Sequence, residues 1–266
     1  LTLRHQARDA ALRHLDLTRD LTEPELTEIV DLARHLYGAQ GVDHSGNDLD
    51  APGSPPGLGP QVLIAGPAGR LGNNPVNRVF GDFSMWATGN DDAPPSNVNH
   101  RASVARGAGV FFDRRFMIRD VTGLNDKGLG NPFHRSCGSG CHNTTLMGMD
   151  LAPGFMDLGL NNLPWANNRS DLPLFRIVCD ESADPHPYLG REIYSHDPGR
   201  ALITGRCAHV GQTMTQQMRG LASRAPYFAN GSSQSLRELV DFYDRRFNIG
   251  YTEQEKQDLV NFLGVL

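Results

Sequence analysis

Residues 135 to 145 read RSCGSGCHNTT, with three residues between Cys137 and Cys141 and His142 directly behind the second thiol. The usual attachment motif for c-type haem is C-x-x-C-H, in which both thiols add to porphyrin vinyl groups and the histidine becomes the proximal iron ligand. Here one extra residue must bulge between two anchors whose separation the macrocycle sets. The linker Gly138-Ser139-Gly140 has little bulk and a permissive backbone, so it tolerates the bulge. Two other readings use the same residues. Cys137, Cys141 and His142 with Cys179 or Cys207 have the ligand types of a zinc site, although adjacent Cys and His are awkward on one tetrahedral ion. A Cys137–Cys141 disulfide would close a very short loop and leave His142 without a role.

Outward from this motif, helical signals dominate and strand alternation is almost absent. Thr22-Glu23-Pro24-Glu25 is a capping box with proline in the first turn, and Leu26, Ile29, Val30, Ala33, Leu36 and Tyr37 follow it at helical spacing up to Gly38. The start, RHQARDAALRHLDL, reads as a more polar helix. From Gly41 to about Pro75 the chain is rich in Gly, Pro, Asn and Asp without period, an irregular connector. Order returns near Asn99, where Val104, Ala105, Ala108, Val110, Phe111 and Phe112 form an apolar stripe. Gly107 within it leaves room for something flat or for another backbone. A loop-rich stretch from Val121 to Pro173 holds the cysteine motif. Ser235-Leu236-Arg237-Glu238 and Thr252-Glu253-Gln254-Glu255 are two further capping boxes, launching the amphipathic helices that close the sequence.

Composition narrows the function classes. The 266 residues carry a formal charge of -5 with no Lys/Arg block, which argues against a nucleic-acid partner. No apolar run approaches the roughly 18–20 residues that a membrane span needs. Gly 29 and Pro 17 together imply long loops. Four cysteines are too few for a disulfide scaffold, so their placement matters more than their number.

Residues 196 to 266 resemble the end of the bacterial di-haem cytochrome c peroxidase and MauG family. The resemblance rests on DPGRALITG, the Arg219-Gly220-Leu221 turn, APYFANGS, LRELVDFY and the closing DLVNFL. VARGAGVFF ahead of CGSGCHN resembles the entry helix of the same haem domain, so the likeness runs over nearly all of residues 98 to 266. Residues 1 to 40 resemble the stretch that follows the family's first haem. The family's first haem domain, with its own C-x-x-C-H, has no counterpart in this sequence. Thr213 and Gln216 stand where the family has phenylalanine and proline, and Ala229 where it has histidine.

What the resemblance implies for the site is specific. Cys137 and Cys141 anchor one haem c and His142 is the proximal ligand. The sixth ligand, a methionine in the peroxidases and a tyrosine in MauG-like members, falls at Tyr243. Met214 and Met218 are the alternatives, and core packing is the bland reading of Tyr243. Met147 and Met149 line the pocket, and His209 is read as a surface residue, with iron ligation as its other reading. Arg219 matches the family arginine near the haem, where its fork would suit a propionate; a solvated surface arginine is the other reading. Haem attachment implies an oxidising compartment, periplasmic or extracellular, in which Cys179 and Cys207 pair as a disulfide. The family's calcium ion is held by carbonyls at the positions of Arg224 and Pro226 and by an asparagine of the absent domain, so calcium is not expected.

The resulting expectation is an all-α protein. Residues 1–95 form a helical hairpin and connector, and residues 96–266 a c-type cytochrome domain with one covalent haem. Single-electron transfer is the expected function, with a redox partner protein. The rival readings are a peroxidase or MauG-like oxidoreductase using a second haem on another chain, and a haem-bearing subunit of an oligomer or larger assembly.

Overall fold

The computed structural model describes residues 2–35, 38–44, 47–61, 82–87, 95–142, 154–167, 169–216 and 218–266. They divide into two compact units, Leu1–Gly38 and Ala39–Leu266.

In the first unit, α1 (Leu3–Arg13) and α2 (Glu23–His35) bury Ala11, Leu21 and Leu26 against Ala7 and Leu17. The start of α2 is set by the box foreseen in the sequence. Thr22 N–H donates to Glu25 Oε2 at 2.8 Å and Glu25 N–H donates back to Thr22 Oγ1 at 3.5 Å. Leu36 and Tyr37, assigned to the same stripe, lie outside the described residues.

The second unit is built on α3 (Pro95–Asp113) packed against α7 (Glu253–Leu263), with α6 (Leu236–Phe247) alongside α7. Helix α3 begins at Pro95, a little earlier than the stripe suggested. Its contact with α7 is close because Gly107 has no side chain: a Cβ there would overlap the Asp258 carbonyl and the Phe262 side chain. Of the two uses expected for Gly107, the approach of another backbone is the one realised. Asp258 reinforces the contact. It is 2% exposed, accepts from Ser103 Oγ at 2.5 Å, and takes both Arg106 Nε and Nη2 at 2.9 and 2.8 Å. A buried carboxylate would be costly alone; two-pronged pairing with a guanidinium and a further hydroxyl offsets its desolvation. Around this seam lie Val104, Phe111, Leu259 and Phe262, continuous with Val240 and Phe242 of α6. The Thr252 box of α7 is reciprocal; at Ser235 only the side chain caps, and the Glu238 carboxylate receives Gln234 N–H instead.

The all-α expectation fails here. Among the described residues, six short strands form three antiparallel two-stranded sheets: β1 (Phe116–Ile118) with β2 (Phe133–Arg135), β3 (Phe155–Met156) with β6 (Thr213–Met214), and β4 (Phe175–Val178) with β5 (Glu192–Ser195). None exceeds four residues, so the period-two alternation that marks a strand has no length over which to show. The chain is a mixed helical protein with strand-bearing loops. Two further one-turn helices are α4 (Cys137–Gly140) and α5 (Ala201–Thr204). No helix among the described residues is long and apolar enough to cross a membrane.

Candidate functional site

Strand β2 delivers the chain to the cysteine motif. Ser136 is wholly buried, donates its hydroxyl to the Phe112 carbonyl at 2.6 Å, and with Ser139 forms a capping box that starts α4. That single turn sets Cys137 at its first residue and Cys141 at its end, where Cys141 N–H and His142 N–H both donate to the Cys137 carbonyl at 3.3 and 2.9 Å. The Gly138-Ser139-Gly140 insertion is thus absorbed as one helical turn. It must be glycine-rich for a packing reason too, since a Cβ at Gly138 would overlap the Phe112 ring. Neither Cys137 nor Cys141 takes part in a disulfide. The closed-loop reading of the motif is not what the structure adopts.

His142 lies with its ring centroid 5.9 Å from Phe111 of α3. Tyr243 projects from α6 into the same core and packs among Phe228, Phe242 and Phe247, stacked on the last at 6.3 Å with 14° between ring planes. Burial pushes the Tyr243 phenol well above the usual tyrosine range, and the nearby Cys141 and Cys137 sulfurs push in the same direction. Tyr243 and the thiol pair therefore share one apolar space. Met218, 4% exposed, belongs to the same core, whereas Met214 is 42% exposed on β6. Of the two methionines only Met218 is inside. Arg219 is buried, not a surface residue; its Nη1 donates to the Gly57 carbonyl at 2.8 Å, and desolvation lowers its guanidinium to about 10. Met147 and Met149 lie outside the described residues. His209 is partly buried, its Nδ1 2.9 Å from Thr204 Oγ1. Cys179 and Cys207 are joined as a disulfide with Cα atoms 5.7 Å apart, and with Ile193 and Val210 they form a small satellite core beside β5.

One member of the site was not foreseen. Tyr251, in the turn between α6 and α7, places its hydroxyl 3.8 Å from Cys137 Sγ. Asn248 ends α6 in the left-handed conformation at φ 50°, and the Asp244 carboxylate then receives the N–H groups of Gly250 and Tyr251, which returns the chain over the thiol. Burial pushes the Cys137 thiol up to about 11, only partly countered by the Tyr251 hydroxyl. The sole sequence signal was an aromatic between two capped helices.

Two thiols on one turn outside any disulfide, an imidazole directly behind, and aromatic walls with a phenol among them make a donor set suited to a covalent haem c. A zinc site finds less support: among the described residues no group of three or more His, Cys, Asp or Glu is arranged to hold a metal ion.

No family model and no solved structure matches the chain. It is 37% identical over 208 residues to the cytochrome-c peroxidase IdrP1 of Pseudomonas sp. (strain SCT), covering 71% of this chain and 52% of that protein. The chain thus spans about half the length of the relative.

Proposed function

Since this chain belongs, over the length that it shares with that relative, to the cytochrome c peroxidase family, we propose that residues 96 to 266 are a c-type cytochrome domain with one haem held by Cys137, Cys141 and His142, working in single-electron transfer. The observation that carries this reading is the common apolar space of Cys137, Cys141 and Tyr243. A haem bound there would supply a one-electron iron couple. The chain's own residues supply the rest. Cys137 and Cys141 would anchor the haem and His142 would ligate its iron. Tyr243 would be the second iron ligand, and Met218 is its rival. Phe111, Phe242 and Phe247 exclude water, and Arg219 offers a buried cation for a propionate. Export to an oxidising compartment suits the Cys179–Cys207 disulfide.

A peroxidase reading is favoured by the relative's name. It needs an open iron position or a second haem supplied by another chain. Intact mass under denaturing conditions, with ferric and ferrous spectra, tests both. One added haem and a six-coordinate spectrum without peroxide turnover fit the carrier; a five-coordinate spectrum with turnover fits the peroxidase, and a bare-chain mass defeats both.

A further inference from the structure

On the face of the second unit beside the thiol site lies an open cleft of about 420 Å³ whose border is cationic. Arg114, Arg115, Arg119 and His134 are exposed around it, and Arg246 lies in its wall. Among the described residues no acidic one lines it, in a chain whose formal charge is -5. Asp113, Asp120 and Glu255 stand next to these arginines in sequence or space, and Glu255 lies 3.7 Å from Arg114. The floor is apolar. Phe116 and Phe247 meet there with ring centroids 5.6 Å apart, and Met117 is left 42% exposed. Phe247 is also the ring on which Tyr243 stacks, so the floor of the cleft is the outer side of the wall that encloses Tyr243 and the two thiols.

We infer that this cleft is the docking surface for an acidic one-electron carrier protein that reduces the chain. The inference rests on the haem reading above and adds the partner's chemistry and its place of contact. An apolar centre ringed by cations is the anatomy of a transient, electrostatically steered interface. A small anion is a poorer occupant, because the cationic groups do not form a cage. Arg246 directs its Nε to the Leu158 carbonyl and its Nη2 to the carbonyls of Arg119 and Asp120, and lies over the Trp165 and Phe247 rings. Arg114 faces Glu255. With Arg114 and Arg246 committed within the chain, the exposed Arg115 and Arg119 carry the field across the cleft without converging on one point, and a field of this kind selects a large surface of opposite sign. The exchange balances simply: the carrier loses one electron, the haem iron gains it, and no bond or proton need change place.

The test uses the haem-loaded protein with a reduced acidic plant-type ferredoxin as probe and a basic mitochondrial cytochrome c as control. Calorimetry at about 10 mM salt, where the Debye length is ~30 Å, should show one-to-one ferredoxin binding that weakens at least tenfold by about 150 mM. The double substitution Arg115→Glu/Arg119→Glu should weaken it by at least about tenfold again, with haem content and circular dichroism unchanged. Stopped-flow reduction by ferredoxin should slow in parallel, while reduction by the neutral durohydroquinone stays the same. Equal binding by parent and double variant overturns the inference. So does stoichiometric displacement by inorganic phosphate, which would make the cleft a small-anion site. Loss of a dimer in the double variant would make it a contact between copies and overturn it equally. Absence of haem by mass defeats the functional reading; haem present without ferredoxin binding defeats only the docking surface.

Discussion

The Tyr251 hydroxyl lies 3.8 Å from Cys137 Sγ, across 114 residues of sequence, and closes the thiol site with the turn that separates the last two helices. Burial keeps the thiol protonated at neutral pH by moving it up to about 11, against the opposing pull of the Tyr251 hydroxyl. In haem-free protein, alkylation of Cys137 followed by peptide mass should be slow at neutral pH and accelerate as the pH approaches that value, because the thiolate is the nucleophile. Tyr251→Phe removes the hydroxyl that stabilises the thiolate and should slow alkylation further. Rapid modification of Cys137 at neutral pH would show that the thiol is not buried in this way.

The seam between α3 and α7 gives a paired test within one helix. Gly107→Ala puts a methyl group into the Asp258 carbonyl and should destabilise by roughly 1–3 kcal/mol, the usual cost of overpacking. Gly109→Ala meets nothing within 4 Å and should stabilise by up to about 1 kcal/mol through helix propensity. Denaturant unfolding of both variants measures the contrast. Equal effects would mean that the two helices are not packed through Gly107.

What was legible beforehand follows the range of the interaction. Thr22, Ser235 and Thr252 announce helix starts because a cap joins residues three apart, and His142 announces itself because it abuts Cys141. The strand pairs were illegible for the opposite reason. Phe116 opposite Arg135 and Phe155 opposite Met214 are matched by chain geometry, and each strand is too short to repeat a pattern. In the sequence Asp258 is one more polar residue of an amphipathic helix. Its burial depends on Ser103 and Arg106, which lie over 150 residues away. Tyr251 was hidden in the same way.

Asp258 also sets an acid limit. Burial alone would raise its pKa, but Arg106, Ser103 and Gln254 together hold the carboxyl below the ordinary aspartate value. A carboxyl depressed on folding contributes stability that is present above its unfolded value, about 3.9, and is lost as pH falls through the folded value. Asp258→Asn should therefore cost roughly 2 kcal/mol at neutral pH and flatten the fall in stability on the acid side of about pH 4. Identical acid unfolding curves for parent and variant would refute this assignment.

Cys179 and Cys207 close a loop of sequence separation 28, for which the chain-entropy account gives about 3.5 kcal/mol. The double change to alanine should lower thermal stability under oxidising conditions and leave haem attachment through Cys137 and Cys141 intact. Reduction of the parent should reproduce the loss. Unchanged stability in both experiments would show that the satellite core of Ile193 and Val210 does not depend on the bridge.

The sixth iron position separates carrier from catalyst, and two side chains of the same core compete for it. A phenolate is an anionic oxygen donor that favours ferric iron and lowers the potential; a thioether does the reverse. Burial opposes ionisation of Tyr243 in the haem-free chain, so the phenolate needs the iron itself as its compensating cation. With Tyr243 ligated, the ferric protein is six-coordinate at low potential, and Tyr243→Phe opens the iron, raises the potential and admits carbon monoxide or peroxide. Met218→Leu then leaves the spectrum nearly unchanged. The reverse pattern, with Met218→Leu altering the spectrum and Tyr243→Phe silent, assigns the ligand to the methionine. Redox titration of the two variants beside the parent decides it, and a parent that is already five-coordinate and turns over peroxide replaces the carrier with the peroxidase.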